Sequence, residues 1–181
     1  MGLPIAVGTC GTSLTPQHMK LLKRYTQNIY FLFDNDPAGI AASQRALKIA
    51  YQHDVYPKML TLPGEYKDID ERANVHPSQE DIDARFEVAE DGFLAVVKIQ
   101  IAANDMQNPV ERKRFLQAVF EVLLYVQDFS ILSWYLETIS KHMSMSYDVL
   151  FSQFKSFTKT QSVTLAHIRK EQEVQSGSTK A

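Results

Sequence analysis

The sequence predicts an α/β layer built on a mostly parallel sheet, followed by an all-α segment. Three observations carry that expectation. The first ninety residues alternate short apolar runs with helical patterns, the run Ile29 to Phe33 is apolar throughout, and from about Asp91 only helical periodicity remains. The expected organisation is an α/β domain over residues 1–90, a helical bundle subdomain over 91–158 and a flexible tail over 159–181.

Ile5-Ala6-Val7 reads as a strand leading into the glycine-rich turn Gly8 to Gly11. Thr15 before Pro16 is an N-cap followed by proline at the first helical position, and the helix it starts is expected to turn Leu21, Leu22 and Tyr25 to the core. Ile29-Tyr30-Phe31-Leu32-Phe33 shows no alternation, the pattern of a strand buried on both faces. It stops at Asp34-Asn35-Asp36. Pro37 then opens a helix to about His53, with Asp36 placed to cap it. A strand from Val55 to Leu62 ends at Pro63-Gly64, the acidic segment Lys67 to Glu71 follows, and Ser78 with Asp81 marks a further helix start.

Beyond Asp91, helices are expected over Phe93–Ala103, Val110–Val126, Phe129–Met143 and Tyr147–Phe157. Phe115, Val119, Leu123 and Val126 form one core-facing stripe, and Leu150, Phe154 and Phe157 another. After Lys159 the apolar pattern fades into Thr, Gln, Ser and Lys, the composition of a mobile tail or linker.

Composition excludes several classes. With 45% hydrophobic and 22% charged residues in 181, a packed core is expected and global disorder is not. No apolar run approaches the roughly 20 residues of a membrane helix, so no membrane partner is expected. No basic segment precedes an apolar stretch at the start, which gives no sign of secretion. Cys10 is the single cysteine, so neither an internal disulfide nor a cysteine-based zinc site is available, and a cytoplasmic location fits. It reads as a small turn residue before it reads as a nucleophile.

The net charge of −2 is low for a chain that grips nucleic acid over a broad surface. Lys20, Lys23 and Arg24, and again Arg112, Lys113 and Arg114, are local basic groups on expected helices. They are either solvated faces or phosphate contacts.

Asp34-Asn35-Asp36 is the sharpest chemical signal. In parallel α/β sheets ligands bind outside the carboxyl ends of strands. Two carboxylates two residues apart repel one another if left bare, and a hard divalent cation such as Mg²⁺ relieves that repulsion. Asp68, Asp70 and Glu71 follow the next strand and can share the cavity. The plainer alternative is turn and helix-cap chemistry, with Asn35 as a turn residue tolerating the left-handed region. His18 in the first helical turn is a candidate acid–base group without a partner nearby in sequence. His53, His76 and His142 show no metal-ligand spacing. No phosphate-binding glycine loop or nucleophile elbow occurs.

These residues also carry a family resemblance. Gly8-Thr9-Cys10-Gly11-Thr12-Ser13-Leu14-Thr15, with His18 and Leu21-Leu22-Lys23-Arg24, resembles the "GTxLTxxHxxLLxR" stretch of bacterial DnaG-type primases. Phe33-Asp34-Asn35-Asp36-Pro37-Ala38-Gly39 with Arg45-Ala46-Leu47 is similar to "(F/Y)D(G/N)DxAGxxAxxRAL" of that family, and Leu62-Pro63-Gly64 with Asp68-Ile69-Asp70-Glu71 to "LPxGxDPDE". The three stand in family order over about residues 5 to 75.

The resemblance implies a partial toprim domain over 1–90 with the primase helical segment after it. It implies that Asp34 and Asp36 are the catalytic Asp-x-Asp pair, and that Asp34, Asp36, Asp68 and Asp70 hold Mg²⁺ or Mn²⁺. Glu71 stays in reserve. It further implies a DNA-directed RNA polymerase making short primers, with single-stranded DNA template, nucleoside triphosphates, a replicative helicase and an N-terminal primase half as partners. The family's metal-site glutamate belongs to an upstream "EGYxD" motif, and here no glutamate precedes Glu65. The chain is therefore expected to be inactive alone in primer synthesis. A non-catalytic replication module is the alternative from another class, and a nuclease or topoisomerase of toprim type is a third reading. Arg45-Ala46-Leu47 and Leu62-Pro63 argue against the third.

Overall fold

The computed structural model describes residues 6–9, 13–34, 36–60 and 84–177, with side chains through residue 162. The chain divides into two compact units, Met1–Phe129 and Ser130–Ala181.

The first unit is built around a three-stranded sheet. Helix α1 (Pro16–Lys23) starts at Thr15, whose hydroxyl accepts from the His18 N–H at 3.2 Å while His18 Nδ1 accepts from the Thr15 N–H at 3.4 Å. Two otherwise orphaned backbone donors are thereby satisfied, which makes His18 a capping-box partner. The expected inward face of α1 is corrected. Met19 is completely buried, whereas Leu21 and Tyr25 are 51% and 79% exposed. Amphipathic spacing alone left two faces open, and packing selected the one holding Met19. Lys23 Nζ donates to the His53 carbonyl and His53 Nε2 lies 3.0 Å from the Pro16 carbonyl, which ties α1 to the end of the next helix.

Strand β1 (Tyr30–Leu32) is followed by helix α2 (Pro37–Gln52) and strand β2 (Lys58–Leu60), which pairs parallel to β1 in the register Phe31 to Met59. This is the expected β-α-β unit. Burial of β1 alternates, with Phe31 buried and Tyr30 and Leu32 half-buried, so the expectation of two fully buried faces does not hold. Ala6 and Val7 form no strand, and Val7 is 74% exposed; among the described residues no ladder takes up their backbone groups.

A helical turn at residues 84–87 leads into β3 (Glu90–Asp91), antiparallel to β2, so the sheet is mixed with the order β1-β2-β3. Two acidic residues carry no strand signal in sequence. The pairing arises because Gly92 N–H donates to the Pro57 carbonyl at 2.9 Å and Asp91 caps the helix behind it. That helix, α3 (Gly92–Ala103), and α4 (Pro109–Leu123) pack on α2 within the same unit. Gly92 has no room for a side chain: a Cβ there would lie 2.7 Å from the Pro57 carbonyl oxygen. The helices after residue 91 thus begin on the sheet. The core gathers Leu47, Ala50 and Tyr51 of α2, Phe93 and Val97 of α3, and Phe115 and Leu123 of α4.

The second unit holds all but the first residue of α5 (Phe129–His142) and the whole of α6 (Tyr147–Gly177). Tyr135, Leu136, Ile139 and Met143 are buried at helical spacing, as are Leu150 and Phe154. Helix α6 runs well past Phe157, into the stretch expected to be a tail. The reason is intrinsic propensity. Residues 159–176 contain neither proline nor glycine and include the good helix formers Gln, Lys, Glu, Arg and Leu, so the backbone stays helical where the apolar stripe has ended. No helix among the described residues is long and apolar enough to cross a membrane.

Two helices end on L residues in left-handed conformation, Asp54 at φ 55° and Ser144 at φ 48°. After α5, Met145 N–H donates to the Ser140 carbonyl and Ser144 N–H to the Lys141 carbonyl, the pairing of a Schellman end that glycine normally completes. A side chain in that region costs about 1 kcal/mol, partly offset by the greater freedom of glycine when unfolded. Ser144→Gly is therefore expected to raise the unfolding free energy by roughly 0.5–1 kcal/mol. A urea midpoint that stays put or falls would refute this.

Tyr56 supplies a pH-dependent test. Its hydroxyl is shut away from solvent without a well-formed hydrogen bond. Burial raises the phenol above its ordinary value of 10.0; the Asp128 backbone opposes this as the next largest effect, and the negative charges of Asp54 and Asp128 add smaller rises. Above pH 10 the unfolded chain ionises first, so this contribution is complete below pH 10 and lost as pH rises towards the folded-state value. Tyr56→Phe is expected to remove that alkaline loss and to be neutral or stabilising by up to about 1 kcal/mol at pH 7. Thermal melts of both proteins at neutral and alkaline pH check it, and an unchanged alkaline loss in the variant would sink it.

Candidate metal centre

The acidic loop lies where a parallel strand gives way to a helix. Phe33 and Asp34 continue from the carboxyl end of β1, and Asp36, in extended backbone at φ −130° and ψ 168°, is the residue before α2. Pro37 fixes the helical φ at the first position and has no N–H to leave unsatisfied. Asp36 Oδ1 accepts from the Gly39 N–H at 2.7 Å, so this carboxylate caps the helix and sits at its partially positive end. The plainer sequence reading of Asp36, helix capping, is thus realised in the structure. Capping engages one carboxylate oxygen and leaves the second for another ligand.

Asp34 differs. It is exposed, and among the described residues its carboxylate meets no hydrogen-bond donor and no cation. Its backbone is held closely. A Cβ built on Gly39 would lie 2.1 Å from the Asp34 carbonyl oxygen, 2.9 Å from its carbonyl carbon and 3.1 Å from its nitrogen. Real side chains never approach so near, so only glycine lets the first turn of α2 pass under the loop.

Asp68 and Asp70, together with Glu71, Asn35, Cys10 and His76, lie outside the described residues. Among the described residues no group of three or more His, Cys, Asp or Glu side chains gathers to hold a metal. What is described is two hard oxygen donors on one short loop, one of them bare. That chemistry fits a hard divalent cation such as Mg²⁺, which takes one or two protein carboxylates and fills its remaining positions with water and phosphate oxygens.

Other candidates are reassigned. His18 is spent on the cap of α1, and His53 lies against Pro16. Lys23 is committed to the His53 carbonyl and stands 3.9 Å from Asp54, whereas Lys20 and Arg24 beside it are exposed, as are Lys113 and Arg114. The role of Gly39 escaped the sequence reading. Its position five residues after the strand-end Asp34, inside a helix's first turn, is the signal that marks it.

Comparison with known proteins places these features in a wider set. A family model described as Toprim-like matches residues 2–73. The DNA primase of Synechococcus elongatus is 42% identical over 81 residues, which is 41% of this chain and 12% of that protein. Among solved structures, a DNA primase domain from Pseudomonas aeruginosa superposes with a TM-score of 0.62 at 21% identity, over 80% of this chain and 46% of that one. A DnaG primase catalytic domain bound to single-stranded DNA superposes with a TM-score of 0.60 at 24% identity, over 75% and 43%. The chain therefore spans about an eighth of the curated relative and less than half of each catalytic domain.

Proposed function

We propose that this chain, which resembles the toprim region of DnaG-type DNA primases over residues 2–73 and shares the fold of part of their catalytic core, holds Mg²⁺ or Mn²⁺ in its acidic loop for nucleotidyl transfer in RNA primer synthesis. The observation that carries the proposal is the exposed carboxylate of Asp34, unpaired among the described residues, at the carboxyl end of a parallel strand and two residues from the helix-capping Asp36.

In this reading Asp34 and Asp36 are direct ligands, and Asp68 and Asp70 join them from the segment after β2. When bound, the divalent ion supplies positive charge against the phosphate oxygens of an incoming nucleoside triphosphate. Asp36 keeps one oxygen on the Gly39 N–H throughout, which holds its other oxygen in a fixed direction. Asp34, whose carboxylate has no hydrogen-bond or ion-pair partner among the described residues, offers both oxygens to the ion. The template is single-stranded DNA, the ligand found on a catalytic domain of the same fold.

The family's remaining metal-site carboxylate is a glutamate ahead of the glycine turn, and this sequence has none before Glu65. The chain is accordingly expected to need the N-terminal half of a primase core for activity. Primer formation on a single-stranded template with nucleotides and Mg²⁺ tests this in two arms. Little product from the chain alone, and product that depends on Asp34 when the N-terminal half of a related primase core is added, supports the proposal. Robust synthesis by the chain alone, or synthesis in the mixture that persists in Asp34→Ala, overturns it.

A further inference from the structure

Resting on the metal reading of Asp34 and Asp36, we infer that Gly39 is the positioning residue of the site and sets its preference for Mg²⁺ over Ca²⁺. Both ends of the acidic loop converge on this one residue. The Asp34 peptide lies across its Cα, so closely that an added Cβ would sit 2.1 Å from the Asp34 carbonyl oxygen. The Asp36 carboxylate accepts its N–H at 2.7 Å. Gly39 is itself buried and belongs to the first turn of a 16-residue helix, so it is a rigid anchor for both groups.

The atoms that an added Cβ would meet are backbone atoms of Asp34, which no rotamer change can move aside. A methyl group at position 39 therefore has to push the Asp34 peptide off the helix by more than an ångström, while Asp36 stays hydrogen-bonded below it. Both carboxylates remain on the chain, but the spacing between them changes. Mg²⁺ demands near-ideal octahedral geometry with short metal–oxygen distances, whereas Ca²⁺ accepts longer and irregular arrangements. A displaced loop thus loses Mg²⁺ first. Loss of fold without a positioning role would instead weaken both ions together.

The test is divalent-ion titration of the full chain, Mg²⁺ and Ca²⁺ separately, by calorimetry. Three variants are compared: Gly39→Ala, Asp34→Asn and Gly92→Ala. Gly92 is the matched control, because a Cβ there also meets a backbone carbonyl, that of Pro57, outside the acidic loop. Gly39→Ala is expected to weaken Mg²⁺ about tenfold or more, as displacements near 1 Å do at built sites, and Ca²⁺ by less than about threefold. Asp34→Asn should weaken both ions, and Gly92→Ala neither.

Wild-type Mg²⁺ affinity retained in Gly39→Ala overturns the inference while leaving the metal site standing. So does an equal loss in Gly39→Ala and Gly92→Ala. If the wild-type chain binds no divalent ion, the metal reading itself fails and this inference with it. Should Gly39→Ala not fold, the Gly39 amide resonance of the wild-type chain decides. A shift on saturation with Mg²⁺ larger than on saturation with Ca²⁺ supports the inference, and no shift overturns it.

Discussion

Asp34→Ala is expected to abolish measurable Mg²⁺ or Mn²⁺ binding by this chain while leaving its fold and melting temperature almost unchanged. Asp34 is exposed and makes no hydrogen bond or ion pair among the described residues, so its carboxylate contributes nothing visible to stability. Surface substitutions of that kind usually change stability by under about 0.5 kcal/mol. As a ligand it is one of two carboxylates on the loop, and its removal takes away half of the charge the described part of the site offers. Calorimetry with each ion, beside a thermal melt, reads both halves of the expectation. Undiminished binding would remove Asp34 from the site, and binding by neither protein would favour a role as a non-catalytic interaction module. Asp36→Ala gives the contrast: it loses a helix cap as well as a ligand, so it is expected to weaken binding and also to destabilise by roughly 1 kcal/mol.

Leu47→Ala is expected to be the most damaging single truncation in the α/β unit, costing about 3–5 kcal/mol. Leu47 is completely buried on the inner face of α2 and lies beside Gly92, where an added Cβ would come 3.0 Å from its Cδ2. Helix α2 carries the acidic loop at one end and packs on α1, α3 and α4, so a cavity at Leu47 opens at the junction of these elements. Against a total stability of about 5–15 kcal/mol for an ordinary domain, such a loss removes a large part of the folded population's margin. Urea unfolding followed by circular dichroism measures it. A loss below about 1 kcal/mol would show that the site collapses to fill the space.

The same residue explains part of the family resemblance. In Arg45-Ala46-Leu47, Ala46 and Leu47 are buried while Arg45 is exposed, so two thirds of that motif is core packing. The glycine of the acidic motif, Gly39, is the closest backbone approach recorded beneath the acidic loop. Family patterns of this kind mix ligands with the residues that let helices and loops approach each other.

Local chemistry was legible in the sequence. Thr15-Pro16 and Asp36-Pro37 announced two helix starts, because a cap and a proline act on their own backbone and need no distant partner. The apolar run Ile29–Phe33 announced a strand, and its abrupt acidic end announced the loop where chemistry is expected. Asp34 and Asp36 as candidate ligands, and the order of β1, α2 and β2, followed from these signals.

Only the tertiary structure decided what depends on neighbours remote in sequence. It turned Met19 inward and left Tyr25 in solvent, because the face of α1 that is buried is set by what packs on it. It recruited Glu90-Asp91 into the sheet through backbone pairing that no side-chain pattern encodes. It brought α3 onto the sheet by way of Gly92, which needs no side chain there. At the acidic loop the division is the same: residue types mark the carboxylates, but the close backbone approach of Asp34 to Gly39, where an added Cβ would lie 2.1 Å from the Asp34 carbonyl oxygen, exists only once the strand and the helix have met.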